Sequence, residues 1–97
     1  MPSNKISPMF FYTYVLQSLK DNNNYIGYTK DLVKRVKEHK LGLNFSTSWR
    51  RPFKLIYYEA CLNEQDAKHR EIYLKNTAGR RFLAKQLRLF KLTGLAK

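Results

Sequence analysis

Phe10-Phe11-Tyr12-Thr13-Tyr14-Val15-Leu16 and, after a polar interval, Tyr25-Ile26-Gly27-Tyr28-Thr29 are the two stretches that decide how this chain folds. The first is aromatic and β-branched and is bounded by polar residues, which predicts a strand. Between them, Lys20-Asp21-Asn22-Asn23-Asn24 predicts a turn, because Asn and Asp tolerate left-handed backbone and hydrogen-bond their own chain. Residues 10–29 therefore form a hairpin. Strand alternation puts Tyr12 and Tyr14 on one face of the first strand, and Tyr25 and Gly27 on one face of the second.

Working outward, Thr29 or Asp31 caps a helix that runs to about Lys40, with Gly42 just past its end. A polar, basic loop follows over 42–52, and Phe53–Ala60 reads as a third strand. Asn63-Glu64-Gln65-Asp66 opens a second helix, with its acids in the first turn where they suit the helix dipole. That helix is expected to last to Asn76 or Thr77. Gly79 breaks it, and a third helix over Arg80–Phe90 carries Leu83, Leu87 and Phe90 on one stripe. The fold class is α+β: a small three-stranded, mostly antiparallel sheet flanked by helices, in the order ββαβαα. A flexible lead-in (1–8), one domain (9–92) and a short tail (93–97) are expected.

With 97 residues there is room for one modest core. Hydrophobic content of 43% and aromatic content of 14% exclude a disordered basic tail. No run reaches the ~18 apolar residues of a membrane span, and the start lacks the apolar stretch of a secretory signal. The single Cys61 fits a reducing cytoplasm, the expected location. Nineteen Lys+Arg against seven Asp+Glu give a net charge of +12. A folded domain that basic points to a polyanion partner, because each neutralised phosphate releases a condensed counterion. DNA is the expected partner, with RNA left open and no membrane. The charge is uneven, for residues 65–97 hold nine Lys+Arg and only Asp66 and Glu71, a net of +7.

Three sets of residues look out of place. Arg35 and His39, at i,i+4 on the first helix, project together beside the apolar stripe of Leu32 and Val36, as a solvated pair or as a phosphate-handling one. Glu71 shares a stripe with Ala67, Leu74 and Ala78, where an apolar residue is expected. It is either half of an ion pair, with Arg35 or a lysine, or a ligand for Mg²⁺ or Mn²⁺, ions that take one or two carboxylates plus water and phosphate oxygens. Seven tyrosines are also many for this length. Most are rim residues, but Tyr14 and Tyr25 are expected to face each other across the hairpin, with depressed pKa values suited to proton transfer.

Taken in order, these residues resemble the GIY-YIG nuclease superfamily, and in particular its small single-domain bacterial members. The second motif stands as Tyr25-Ile26-Gly27, followed by Tyr28-Thr29-Lys30-Asp31-Leu32, Arg35 and His39. The first is degenerate, Tyr12-Thr13-Tyr14, and keeps only its final tyrosine. Arg51-Pro52-Phe53 with Leu55-Ile56-Tyr57-Tyr58-Glu59, then Ala67, Arg70-Glu71, Leu74-Lys75 and Gly79-Arg80-Arg81-Phe82-Leu83, resemble the rest of the domain. A late asparagine found in several family branches has no counterpart, since Asn76 comes too soon.

The resemblance implies a DNA endonuclease that hydrolyses phosphodiester bonds with one divalent metal, Mg²⁺ or Mn²⁺. Tyr14 and Tyr25 match the motif tyrosines. One of them, Tyr25 for preference, is expected to deprotonate the attacking water with help from His39. Arg35 would neutralise charge on the phosphorus, and Glu71 would hold the metal. Arg50, Arg51, Arg80, Arg81, Lys85 and Arg88 are candidate phosphate contacts. The chain has no room for a separate recognition domain, so weak sequence specificity, a preference for branched or single-stranded DNA, or a specificity-supplying protein partner is expected, in repair- or recombination-type processing. The rival expectation is a non-catalytic basic module on the same scaffold that binds nucleic acid without cutting.

Overall fold

The structure, a computed structural model, describes residues 9–95. Among the described residues three strands and four helices follow one another as β1 (Phe11–Ser18), β2 (Asn24–Thr29), α1 (Leu32–Leu41), β3 (Phe53–Cys61), α2 (Glu64–Lys75), α3 (Thr77–Gln86) and α4 (Arg88–Leu95), with a short 3-10 turn over Ser48–Arg50 before β3. The expected lead-in lies outside the described residues, and the first residues of the expected tail belong to α4.

The sheet order is β2-β1-β3, with both pairings antiparallel. β1 is central because it alone is apolar on both faces, and Thr13 through Leu16 are all buried. Its two faces feed two cores. Val15 packs with Leu74, Leu83 and Leu87 of the C-terminal helices. Tyr14 and Leu16 pack with Phe53, and Leu32 and Val36 of α1 cover them. Each fully buried leucine stabilises the fold by about 1.5–3 kcal/mol. Thr13 ties β1 to α2, its hydroxyl donating to the Ala67 carbonyl at 2.7 Å. Among the described residues no helix is long and apolar enough to cross a membrane.

The hairpin turn forms as expected, with Asn22 in the left-handed region at φ 62° and the Asn23 N–H donating to Asp21 Oδ1 at 2.8 Å. Asp31, rather than Thr29, caps α1, and Gly42 ends it at φ 77°. The C-terminal helices differ from the expectation in two places. The break after α2 falls at Asn76, which is extended and caps α3 by accepting from the Gly79 N–H at 2.9 Å. Gly79 lies inside α3 and serves close packing, since a Cβ there would strike the Tyr73 carbonyl. Leu87 then splits the single helix expected over 80–90 into α3 and α4. Leu87 is still buried, and Phe90 packs under the Lys54 ammonium at 5.2 Å.

Candidate functional site

Tyr14 and Gly27 are partners across β1 and β2. A Cβ at Gly27 would lie 2.9 Å from Tyr14 Cε1 and closer still to its hydroxyl end. Glycine here is a requirement of that close approach, because the Tyr14 ring lies across it. The hydroxyl then reaches 3.0 Å from His39 Nε2 on α1. Both residues are fully buried, and burial is the main reason the Tyr14 phenol is pushed up to about 12, with the neighbouring Tyr25 adding to it. Arg35 pulls the other way but loses, and the Glu71 carboxylate raises the value further. The expected depression of this tyrosine is therefore reversed. A phenol with no water around it holds its proton.

The other nitrogen of His39, Nδ1, lies 2.8 Å from the Thr47 hydroxyl. That hydroxyl points its own proton at the Asn44 carbonyl, at 3.4 Å. Thr47 therefore accepts from His39 Nδ1–H, and Nε2 is left to accept from Tyr14. Burial, and then the charge of Arg35, hold the His39 pKa below its ordinary value, so the ring is neutral near pH 7. Both nitrogens of His39 are thus engaged within the protein, and the ring has no exposed surface. It touches Tyr25 ring to ring, the two planes tilted by 57° with centroids 5.0 Å apart.

Tyr25 is placed differently. It sits opposite Leu16, so it is diagonal to Tyr14 rather than facing it, with ring centroids 6.4 Å apart. It is half-buried and lines a groove of about 820 Å³ together with Ile26, Trp49, Lys75, Arg80 and Lys91. Arg35 is also half-buried and salt-bridges Glu38 through Nε at 3.2 Å. Glu71, one turn beyond the buried Ala67, is paired with Lys75 at 2.9 Å and not with Arg35. Such an exposed i,i+4 pair contributes only about 0.3–0.5 kcal/mol and yields readily to a stronger partner. Among the described residues no group of three or more His, Cys, Asp and Glu side chains stands ready to hold a metal.

Tyr14, Tyr25, Arg35 and His39 thus meet around Gly27, and Glu71 is near enough for its charge to act on Tyr14. The basic candidates divide. Arg50 is largely committed to the protein, donating to Asp21 at 3.2 Å and to the Asn23 carbonyl at 3.2 Å, and it packs over Phe53. Arg51 donates to the Ser48 carbonyl at 2.9 Å. Arg80 lines the groove, whereas Arg81, Lys85 and Arg88 are exposed away from it. Residues without an expected role also border the site: Thr47 against His39, Lys75 and Lys91 in the groove, and Lys30 and Lys34 beside Arg35. Lys30 just before the α1 cap and Lys34 in its first turn bring two cations beside Arg35, a proximity legible in the sequence, whereas nothing in the sequence marks Thr47.

Comparison with known proteins gives the family of the domain. Residues 10–85 match the family described as the GIY-YIG catalytic domain. A UPF0213 protein of Clostridium perfringens is 42% identical over 65 residues, covering 66% of this chain and 69% of the relative. One of Pediococcus pentosaceus is 44% identical over 66 residues, covering 67% of this chain and 68% of the relative. The solution NMR structure of a UPF0213 protein from Bacillus halodurans superposes with a TM-score of 0.51 at 31% identity, over 80% of this chain and 85% of that one. A sheet that carries its tyrosines over a bare glycine, a helix that brings Arg35 and His39 to them, and a match over most of the length lead to one conclusion: this chain belongs to the GIY-YIG family of nuclease domains.

Proposed function

We propose that this protein is a metal-dependent DNA endonuclease that hydrolyses phosphodiester bonds with little sequence specificity or with a structural preference, in repair- or recombination-type processing. The observation that carries the reading is the meeting of Tyr14, Tyr25 and Arg35 around Gly27, within range of the Glu71 charge. Tyr25 lines the open groove, so it is the phenol that meets the attacking water and relays its proton to groove solvent. Tyr14, buried and fixed by His39, forms the rigid floor against which Tyr25 and Arg35 are aligned. Arg35 supplies the charge-assisted donors that a phosphate gathering negative charge requires.

Glu71 fits a magnesium or manganese ion. It is a single, half-buried carboxylate whose only salt-bridge partner among the described residues is an exposed lysine, and Mg²⁺ binds through one or two carboxylates with phosphate oxygens supplying the rest. When bound, such an ion polarises the phosphate and stabilises the leaving oxygen. Supercoiled plasmid incubated with the protein and Mg²⁺ tests the reading. Nicking by the parent, lost in Tyr25→Phe, supports it. Binding by the parent with no nicking reduces the chain to a nucleic-acid-binding module.

A further inference from the structure

The site has a second concavity. Besides the groove beside Tyr25, a hollow of about 460 Å³ is lined by Tyr28, Lys30, Asp31, Lys34, Arg35 and Glu38. Strand β2 orders the two, because Tyr25 borders the groove, Gly27 lies under the Tyr14 hydroxyl, and Tyr28 borders the hollow. From Tyr25 to Tyr28 the strand advances about 10 Å, close to the axial span of three nucleotides of one strand. The charges fit the same order. Among the described residues Lys30 and Lys34 on one side, and Arg80 and Lys91 on the other, have no salt-bridge partner. The carboxylates in the hollow are already used: Glu38 holds Arg35, and Asp31 caps α1 by accepting from the Lys34 N–H at 3.1 Å.

We infer that the sugar–phosphate backbone of the cut strand runs lengthwise along β2, with the reacting phosphate at Arg35 and its neighbours held by Lys30 and Lys34 on one side and by Lys75, Arg80 and Lys91 on the other. The inference rests on the nuclease reading and deepens it by fixing the substrate's path. It also divides the basic residues. Lys30 and Lys34 lie in the less basic part of the chain, yet they flank the site. Arg81 and Lys85, in the most basic part, border neither concavity. A non-specific polyanion surface needs only net charge, so it would not distinguish the two pairs.

The test measures binding, which separates it from cleavage. Glu71→Gln protein is titrated into a fluorescein-labelled 24-base-pair DNA duplex at several salt concentrations, and the same is done with K30Q/K34Q and R81Q/K85Q added to it. All four substituted residues are exposed, and the unchanged melting temperature of each protein is checked first. K30Q/K34Q is expected to weaken binding about tenfold and to lower the slope of log affinity against log salt by about 2. R81Q/K85Q is expected to stay within about twofold of its parent. Equal losses from the two pairs, a larger loss from R81Q/K85Q, or no binding by the parent overturns the path. If the path holds while the wild-type protein nicks nothing, the nuclease reading has failed alone. If the wild type nicks and the pairs do not differ, the path has failed alone.

Discussion

The ring of Tyr14 lies across Gly27, its partner on the neighbouring strand, and this contact sets where the Tyr14 hydroxyl can go. Any side chain at Gly27 displaces that ring from His39, and with it the floor of the site. Gly27→Ala is therefore expected to lower cleavage about 100-fold, the scale of a misplacement of about 1 Å. DNA affinity, which the proposed path assigns to exposed lysines, is expected to stay within about twofold. Single-turnover cleavage and a binding titration on the same preparation check this, and an unchanged cleavage rate contradicts it.

The two tyrosines are expected to separate by stability. Tyr14→Phe leaves the buried Nε2 of His39 without its donor, which costs about 1–3 kcal/mol. Tyr25→Phe removes a hydroxyl from a half-buried residue at the groove and is expected to cost less than about 0.5 kcal/mol. It is expected to lower cleavage about 100-fold or more. Urea denaturation beside cleavage assays tests the pair; equal stability losses contradict the division of labour.

His39 makes stability depend on pH in a defined window. Its pKa is depressed in the folded protein, so below its ordinary value of 6.5 the unfolded chain takes up a proton that the folded one refuses. Stability is therefore full above pH 6.5 and falls as the pH is lowered toward the depressed folded value. Asp21, Glu59 and Glu64 are also lowered, but from starting values of 3.8 and 4.5, so they act below this window. Thermal melts between pH 7.5 and pH 5.5 are expected to show the fall in the parent (about one pH unit either side of the ordinary histidine value). His39→Asn is expected to flatten it, whatever its overall stability; an identical slope in the two proteins contradicts the assignment.

Lys75 holds the carboxylate assigned to the metal. Removing its ammonium, 2.9 Å from Glu71, frees that carboxylate and takes away a repelling charge. Lys75→Met is expected to raise the affinity of the DNA-free protein for Mn²⁺ about 3- to 10-fold, as read by electron paramagnetic resonance of the free ion. Unchanged affinity means that Lys75 and the metal do not compete.

The hairpin, α1, β3 and the start of α2 were legible because their signals are local: a β-branched aromatic run, Asn-rich turn chemistry, a Gly42 that can be left-handed, acids at a helix start. The C-terminal helices were less so. Gly79 reads as a breaker, yet its lack of a side chain serves packing against Tyr73, and Leu87 ends a helix with neither Gly nor Pro to announce it. At the site, residue identities were legible and their relations were not. That Tyr14 is fully buried while Tyr25 lines a groove depends on which α1 residues cover the sheet, and burial then reverses the expected pKa direction. Arg50 and Arg51 look like free cations in the sequence and are occupied by loop carbonyls and Asp21 in the structure.

On the proposed reading the Glu71 carboxylate, set in a basic protein, turns binding into cutting. Supercoiled plasmid incubated with wild type and with Glu71→Gln, each with Mg²⁺ and with a chelator, measures it most directly. Nicked circles are expected from the wild type with Mg²⁺ only, and intact but bound plasmid with Glu71→Gln. Equal nicking by both proteins, or nicking that survives the chelator, contradicts it.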